Sequence, residues 1–588
     1  MKKLLSIALL LIGTSFMGQV QKRTFNRVAV TQAPALSTTT AMQAPAPAST
    51  APAGDIRIVT DIKTLRTTAG VLNDVVYVKY HTYNFDNGGG FFMWRTDATL
   101  TDANNYFSHD NNGTIIKVAG NTTGRWVRQY SGYVSAAFFG ITYDNATQAI
   151  QNAIDFCWHS QEADTPTKGS TVFIAQGGYM VNNILLRNGV AITGDTQNST
   201  ILYAKLPNEG GTQNDYLLSI MPGPVQTSIT NISIVGRDSN KGCFHFKGIT
   251  PPEGYPHAGV WNSAFKGIGI SGFKNHGIYL EGGDNGRMPN QFTVFENVTV
   301  GLSKLAPAKT CALKITGQQG QITFLNSAFN GYDDGNMKFH TGHVVDISHV
   351  ETTYSAVISF INATFQEGDY GLYINYAENI TVDNCWFENL GVAVTVDGSW
   401  HECQGISILG NRFANAAGYG SLDIDAGNIR QGTCVNVINS HATIANNYAT
   451  VSQINGTSSN NYFITASGIN GEPNMGIELY GNSHAPALSA TKGITQAIAV
   501  TNGVLNAGYN KLLVINGATT PVTTINSNLN AGETLTVKSE ANGIIFQPGP
   551  AILLPNTGGL ILNKGEIAGF TKLDIDGVAT YQLTSLVK

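Results

Sequence analysis

The chain has 588 residues, of which only 12% are Asp, Glu, Lys or Arg, while 42% are hydrophobic and 65 are Gly. So low a charge content disfavours helical bundles and coiled coils, and so large an apolar fraction excludes a mainly disordered chain. A mean hydropathy of −0.04 argues against a polytopic membrane protein, and a net charge of −5 (34 basic against 39 acidic residues) provides no field suited to a phosphate backbone, so nucleic acid is not an expected partner.

The chain opens with Met1-Lys2-Lys3, an apolar run from Leu4 to Ile12, and small or polar residues through Gly18. This is the layout of a secretory signal peptide, and it predicts a protein secreted to a periplasm or the medium without membrane insertion. Residues 19–54 form a linker; from Thr31 to Gly54 it is dominated by Ala, Pro, Ser and Thr, a composition that buries no core. Residues 55–130 alternate apolar and polar positions between Gly and Asn turns, which predicts a small antiparallel β unit. After Asp144, Ala146, Ala149, Ile150, Ala153, Ile154 and Cys157 recur at helical spacing, so one amphipathic helix is expected ahead of a long β region. The six Cys show no CxxC pair and read as buried core residues, Cys403 with Cys434 being the one pair to check for a disulfide.

From about residue 170 to 484 a degenerate repeat recurs, in which an apolar strand reaches Asn or Gly and resumes as another short strand. Aligned on that pivot, the units give Asn231, Gly267, Asn297, Asn326, Asn362, Asn384, Asn411 and Asn447, at spacings of 22 to 36 residues. Such spacing predicts an all-β fold, a parallel β-helix over 131–484 with the helix as its N-terminal cap and an Asn ladder pairing polar groups between coils. Residues 485–588 lose the repeat and read as a β-rich C-terminal domain, for which capping, trimerisation and sugar binding all fit.

Gly88-Gly89-Gly90-Phe91-Phe92-Met93-Trp94, Gly124-Arg125-Trp126, Phe139-Gly140, the helix TQAIQNAID and VFIAQGGYMV together resemble the pectate-lyase-like superfamily of right-handed β-helices, in the group similar to phage tailspike depolymerases. Where such members carry a GAKGDGVTDD-like stretch before the helix, this chain has FFGITYDNAT. The resemblance implies a polysaccharide substrate and a groove along one sheet of the solenoid. It does not fix the reaction, because members include lyases, hydrolases, fructotransferases and epimerases.

Strand alternation along HGIYLEG, CALKITG, VVDISH, GLYINY, VAVTVDG and SLDIDAG leaves two outward columns on that sheet. One reads Tyr279, Lys314, Asp346, Tyr373, Thr395, Asp423; the other reads Glu281, Thr316, Ser348, Asn375, Asp397, Asp425. The expected catalytic residues are Lys314, Asp346, Tyr373, His343, His349, Asp369 and Asp397, with Tyr332, Tyr370, Asn375 and Trp400 contacting sugar. In a lyase that cleaves a uronate polymer by β-elimination, a cation or basic side chain neutralises the sugar carboxylate while a base and an acid move protons. Asp397, Asp423 and Asp425 are the oxygen ligands available to a Ca²⁺ in that role. A glycoside hydrolase would instead use a carboxylate pair, Asp346 with Asp369 or Asp397 with Asp423, and a non-catalytic glycan-binding β-helix would use neither.

Overall fold

The computed structural model describes residues 56–96, 109–162, 171–212, 215–248, 259–282, 290–307, 310–331, 342–350, 353–414, 422–423, 428–429, 433–450, 462–467, 477–484, 489–492, 500, 502–508, 512–515, 520–527, 529, 531–539, 541–575 and 578–587. The first sheet contains Arg57–Val59, Val75–Val78, Gly90–Arg95, Ile115–Lys117 and Arg125–Gln129. It is mixed rather than wholly antiparallel. The helix Ile62–Leu65 returns the chain so that the first two strands run parallel, and the remaining pairs are antiparallel. Trp94 and Trp126 meet edge to face at 5.1 Å in its core.

The helix Ala146–Glu162 turns the predicted face inward, with Ala146, Ala149, Ile150, Ala153, Ile154 and Cys157 at most 1% exposed. These residues share one continuous core with the coils that follow, so the helix caps apolar side chains that would otherwise face water. From Thr171–Ile174 to Ser489–Lys492 the strands pair in parallel with the equivalent strands of neighbouring coils. The register stacks like on like. Phe265, Phe295, Phe324 and Phe360 follow one another at ring separations of 4.8, 4.8 and 5.0 Å, nearly coplanar in orientation. A second file runs through Phe329, Phe365, Phe387 and Phe413.

The pivots form a column of left-handed residues, with φ near 50–60° at Asn231, Gly267, Asn297, Asn326, Asn362 and Asn384. Asn and Gly are the residues that take this conformation at least cost. Their backbone N–H groups bond to the next coil, as Asn326 does to Ile361 O and Asn362 to Asp383 O, both at 3.0 Å. At the last coils the column passes through Gly410, Asn446 and Gly481 instead of Asn411 and Asn447. Those two Asn lie one position further on and are almost fully buried, where with Asn482 they form an amide ladder of 2.8–3.0 Å bonds. Cys403 and Cys434 are buried free thiols, with no disulfide between them.

Residues 500–587 build a separate core around Leu535, Val537, Phe546, Phe570 and Tyr581. Its main sheet runs Leu512–Ile515, Thr534–Ser539, Ile567–Ile575, Val578–Val587, Ile552–Leu553. Among the described residues no helix is long and apolar enough to cross a membrane.

Candidate active site

On one sheet of the solenoid, strand alternation buries Ile278/Leu280, Leu313/Ile315, Val345/Ile347, Leu372/Ile374 and Val394/Val396 to 1% exposure or less. The residues between them point outward, and the register aligns Ser219, His245, Tyr279, Lys314, Asp346, Tyr373, Thr395, Asn436 and Thr465 in one column. Beside it stand Lys247, Glu281, Thr316 and Ser348, and further along Asn375 and Asp397. Adjacent members of a column are ~4.8 Å apart at the backbone, close enough for direct side-chain contact.

Lys314, Asp346, Tyr373 and Asp397 occupy four successive coils. Lys314 Nζ lies 3.3 Å from Asp346 Oδ2, and His343 Nδ1 is 3.8 Å from the same oxygen. The His343 ring is stacked on Tyr373 at 4.3 Å and meets Tyr370 edge to face at 5.0 Å. Tyr373 donates its hydroxyl to Asp397 Oδ2 at 2.5 Å, while Asp397 Oδ1 accepts from the Ser399 backbone N–H at 2.9 Å and from the Ser399 hydroxyl.

Burial would raise the Asp346 carboxyl, but the interaction with His343 and the charge of Lys314 outweigh it and hold the group below the usual carboxylate range. Burial would likewise lower Lys314, yet Asp346 dominates and keeps its ammonium above its ordinary value. Asp397 is also held low, because donors from Ser399 and Tyr373 overcome burial. The Tyr373 phenol is pushed up by burial and by its bond to Asp397, so it keeps its proton at neutral pH. The centre therefore pairs a retained ammonium with two ionised carboxylates and a protonated phenol against an imidazole.

Asn375 is almost fully buried; it donates to the Asp397 backbone carbonyl at 2.9 Å and pairs with His349 Nδ1 at 2.5 Å. His349 stacks on Trp400 at 5.4 Å, and Trp400 is 62% exposed, a flat surface at the groove edge. Asp369 lies in the bend that leads into this sheet, two residues after Glu367 at φ 62° and next to Tyr370. Tyr332 and Asp425 lie outside the described residues.

The expected place of Asp423 is corrected. Leu422–Asp423 pairs antiparallel with Asn428–Ile429, and the strand beside Trp386–Asp397 is Thr433–Ile438, which supplies Asn436 and Ile438 to the columns. TCVNVI offers Val435 and Val437 to the core, both 0% exposed, so it takes the place that SLDIDAG was expected to fill. The pairing of Asp397 with Asp423 across neighbouring groove strands falls with it. Both oxygens of Asp397 already accept hydrogen bonds, from Tyr373 on one side and Ser399 on the other. Among the described residues no cluster of three His, Cys, Asp or Glu is arranged to hold a metal.

The sequence reading missed the upstream end of the column. His245 stacks on Tyr279 at 4.9 Å and bonds Glu281 at 2.7 Å, while Lys247 holds the other Glu281 oxygen at 2.9 Å and Tyr216 packs against His245 at 4.6 Å. The signal was present in GCFHFKG, which alternates as the other groove strands do.

Residues 58–131 match the family model described as a phage tail protein small four-stranded β-sheet domain, and residues 133–264 match the rhamnogalacturonase A/epimerase, pectate-lyase-like model. No curated protein matches the chain. Among solved structures, full-length tailspike protein 2 from Escherichia coli O157:H7 bacteriophage CAB120 is 13% identical, with 90% of this chain and 71% of that one covered at a TM-score of 0.47. Tailspike protein gp49 of Acinetobacter baumannii bacteriophage Fri1, a capsular polysaccharide depolymerase, is 13% identical over 90% of this chain and 91% of its own, with a TM-score of 0.46. The A-module of the Azotobacter vinelandii mannuronan C-5 epimerase AlgE4 is 13% identical over 61% of this chain and 98% of its own, at 0.40. With a pectate-lyase-like match over its first coils and parallel pairing through all that follow, the chain is similar to that family and folds as a right-handed parallel β-helix.

Proposed function

We propose that the protein is a polysaccharide-degrading enzyme that cleaves a uronate-containing polymer by β-elimination in the groove around Lys314, Asp346, Tyr373 and Asp397. The observation that supports this most is the contact of His343 with both Asp346 and Tyr373, which puts a base beside a protonated phenol next to a fixed ammonium. Lys314 faces the sugar carboxylate and offsets the charge that develops when the adjacent C–H is broken. His343 takes that proton, and Asp346 stabilises the imidazolium that results. The C–H electron pair forms the new C=C bond as the glycosidic C–O bond breaks, and Tyr373 gives its proton to the departing oxygen. Asp397 orients the phenol, and water restores both groups.

A hydrolase needs one carboxyl that holds its proton as a general acid. Asp346 and Asp397 are both held below their ordinary range, so neither of these two is suited to that role. The pectate-lyase-like match over 133–264 is consistent with a polysaccharide as substrate. Incubation with a panel of acidic and neutral polysaccharides tests the reading. Unsaturated products absorbing in the ultraviolet are expected from uronate polymers only; new reducing ends without that absorbance mean hydrolysis, and retention without cleavage means a binding protein.

A further inference from the structure

The side face that leads into the groove carries a column for which the elimination chemistry has no use. Along Ala328–Asn330, Thr364–Asn375, Trp386–Asp397, Arg412–Ala414 and Tyr448–Thr450 the register aligns Ala328, Thr364, Trp386, Arg412 and Tyr448. The last three are exposed, Trp386 to 37% and Tyr448 to 44%. The Arg412 guanidinium is 5.0 Å from the Trp386 ring centroid and 5.6 Å from that of Tyr448, held between two aromatic side chains from the coils on either side.

Such a sandwich removes part of the guanidinium's hydration and fixes its plane, so its N–H edge faces solvent ready for a two-pronged carboxylate. The neighbouring outward positions leave that edge open. Glu388 accepts the Trp386 indole N–H at 3.1 Å, and the positions beyond it are Ala414 and Thr450. No carboxylate of the described residues forms an ion pair with Arg412. The indole and phenol faces not covered by the guanidinium suit the C–H faces of a sugar ring, and three coils span ~10 Å along the solenoid axis, parallel to the groove.

We propose that Trp386, Arg412 and Tyr448 form a second, non-catalytic binding site for a polysaccharide whose sugars carry carboxylates, anchoring the polymer on the face beside the groove. The proposal rests on the polysaccharide reading above, but not on the reaction assigned to the groove. It is tested with the full chain by retardation in native gels containing polygalacturonate, alginate or dextran, compared across Arg412→Gln, Arg412→Lys and Trp386→Ala.

The acidic polymers should retard the wild type and dextran should not. Arg412→Gln should weaken that affinity about tenfold or more, the scale of a lost charge-assisted bond, and Arg412→Lys should recover only part of it. Unfolding temperature and turnover of oligosaccharides too short to reach both sites should stay at wild-type values. Wild-type retardation by Arg412→Gln overturns the proposal, as does a wild type that no polymer retards or that dextran retards equally. A shift in sedimentation with Arg412→Gln and no change in retardation would make this face a contact between copies and overturn it too. Failure of the elimination reading shows separately, as turnover retained by groove variants.

Discussion

Tyr373 and Asp397 are joined across adjacent coils by a 2.5 Å hydrogen bond in which the phenol is the donor. This bond fixes which of the two holds the proton: Asp397 stays charged and Tyr373 stays neutral. Tyr373→Phe removes the only atom the account asks to protonate the leaving oxygen. Turnover should fall ~10²–10⁴-fold, the usual worth of a positioned acid, while the unfolding free energy should fall by no more than about 2 kcal/mol because Asp397 keeps its Ser399 donors. Steady-state rates and denaturant titration of the same preparation check both.

His343→Gln keeps a side chain of similar length near Asp346 but removes the base. The expected outcome is a loss of kcat comparable to that of Tyr373→Phe, with KM little changed, since Lys314 still faces the sugar carboxylate. A rise in KM at unchanged kcat would make His343 a binding residue instead.

Asp346 gives stability a defined pH dependence. Its folded-state pKa is depressed, so its contribution is fully present above the unfolded value of ~3.9 and is lost as pH falls through the lower folded value. Asp346→Asn should therefore cost most at neutral pH and least in acid, where the wild type has lost the same contribution. Lys314, raised by Asp346, adds stability that persists below its unfolded value of ~10.4 and disappears only in stronger base. Melting temperatures of wild type and variant from neutral pH downward read the difference directly.

Most of the solenoid was legible because alternation and burial are the same fact in a parallel strand. Tyr279, Lys314, Asp346, Tyr373 and Thr395 fall in one column for the reason that Ile278, Leu313, Val345, Leu372 and Val394 must face the core. Legibility ended where two segments compete for one coil. SLDIDAG alternates as well as TCVNVI does, and which of them pairs with Trp386–Asp397 depends on loop length and core filling. The pivot slipped by one at Gly410-Asn411 and Asn446-Asn447, because Asn suits both the left-handed turn and the buried amide ladder beside it. Hydrogen-bond direction, as between Tyr373 and Asp397, has no sequence signature at all.

The backbone column offers a separate test of the fold. Phe324→Ala, in the middle of the ring file, should cost about 3–5 kcal/mol, whereas Asn326→Ala should cost about 2 kcal/mol through the left-handed turn and the bond its amide oxygen accepts from Asn362, and Asn326→Gly should cost about 1 kcal/mol, the bond without the turn. Val357 is β-branched, 41% exposed, and held at φ 57°. Val357→Asn should therefore raise stability by about 1 kcal/mol. Chemical denaturation of the four variants ranks them.

In the proposed reaction the groove breaks its bond by elimination and not by adding water. The most direct measurement is mass spectrometry of the oligosaccharides released from a uronate polymer in water labelled with heavy oxygen. Elimination yields fragments short of one water, carrying no solvent oxygen, and formed ~10²–10⁴-fold more slowly when Tyr373 is Phe. Saturated fragments with labelled reducing ends would contradict it and return the groove to a hydrolase.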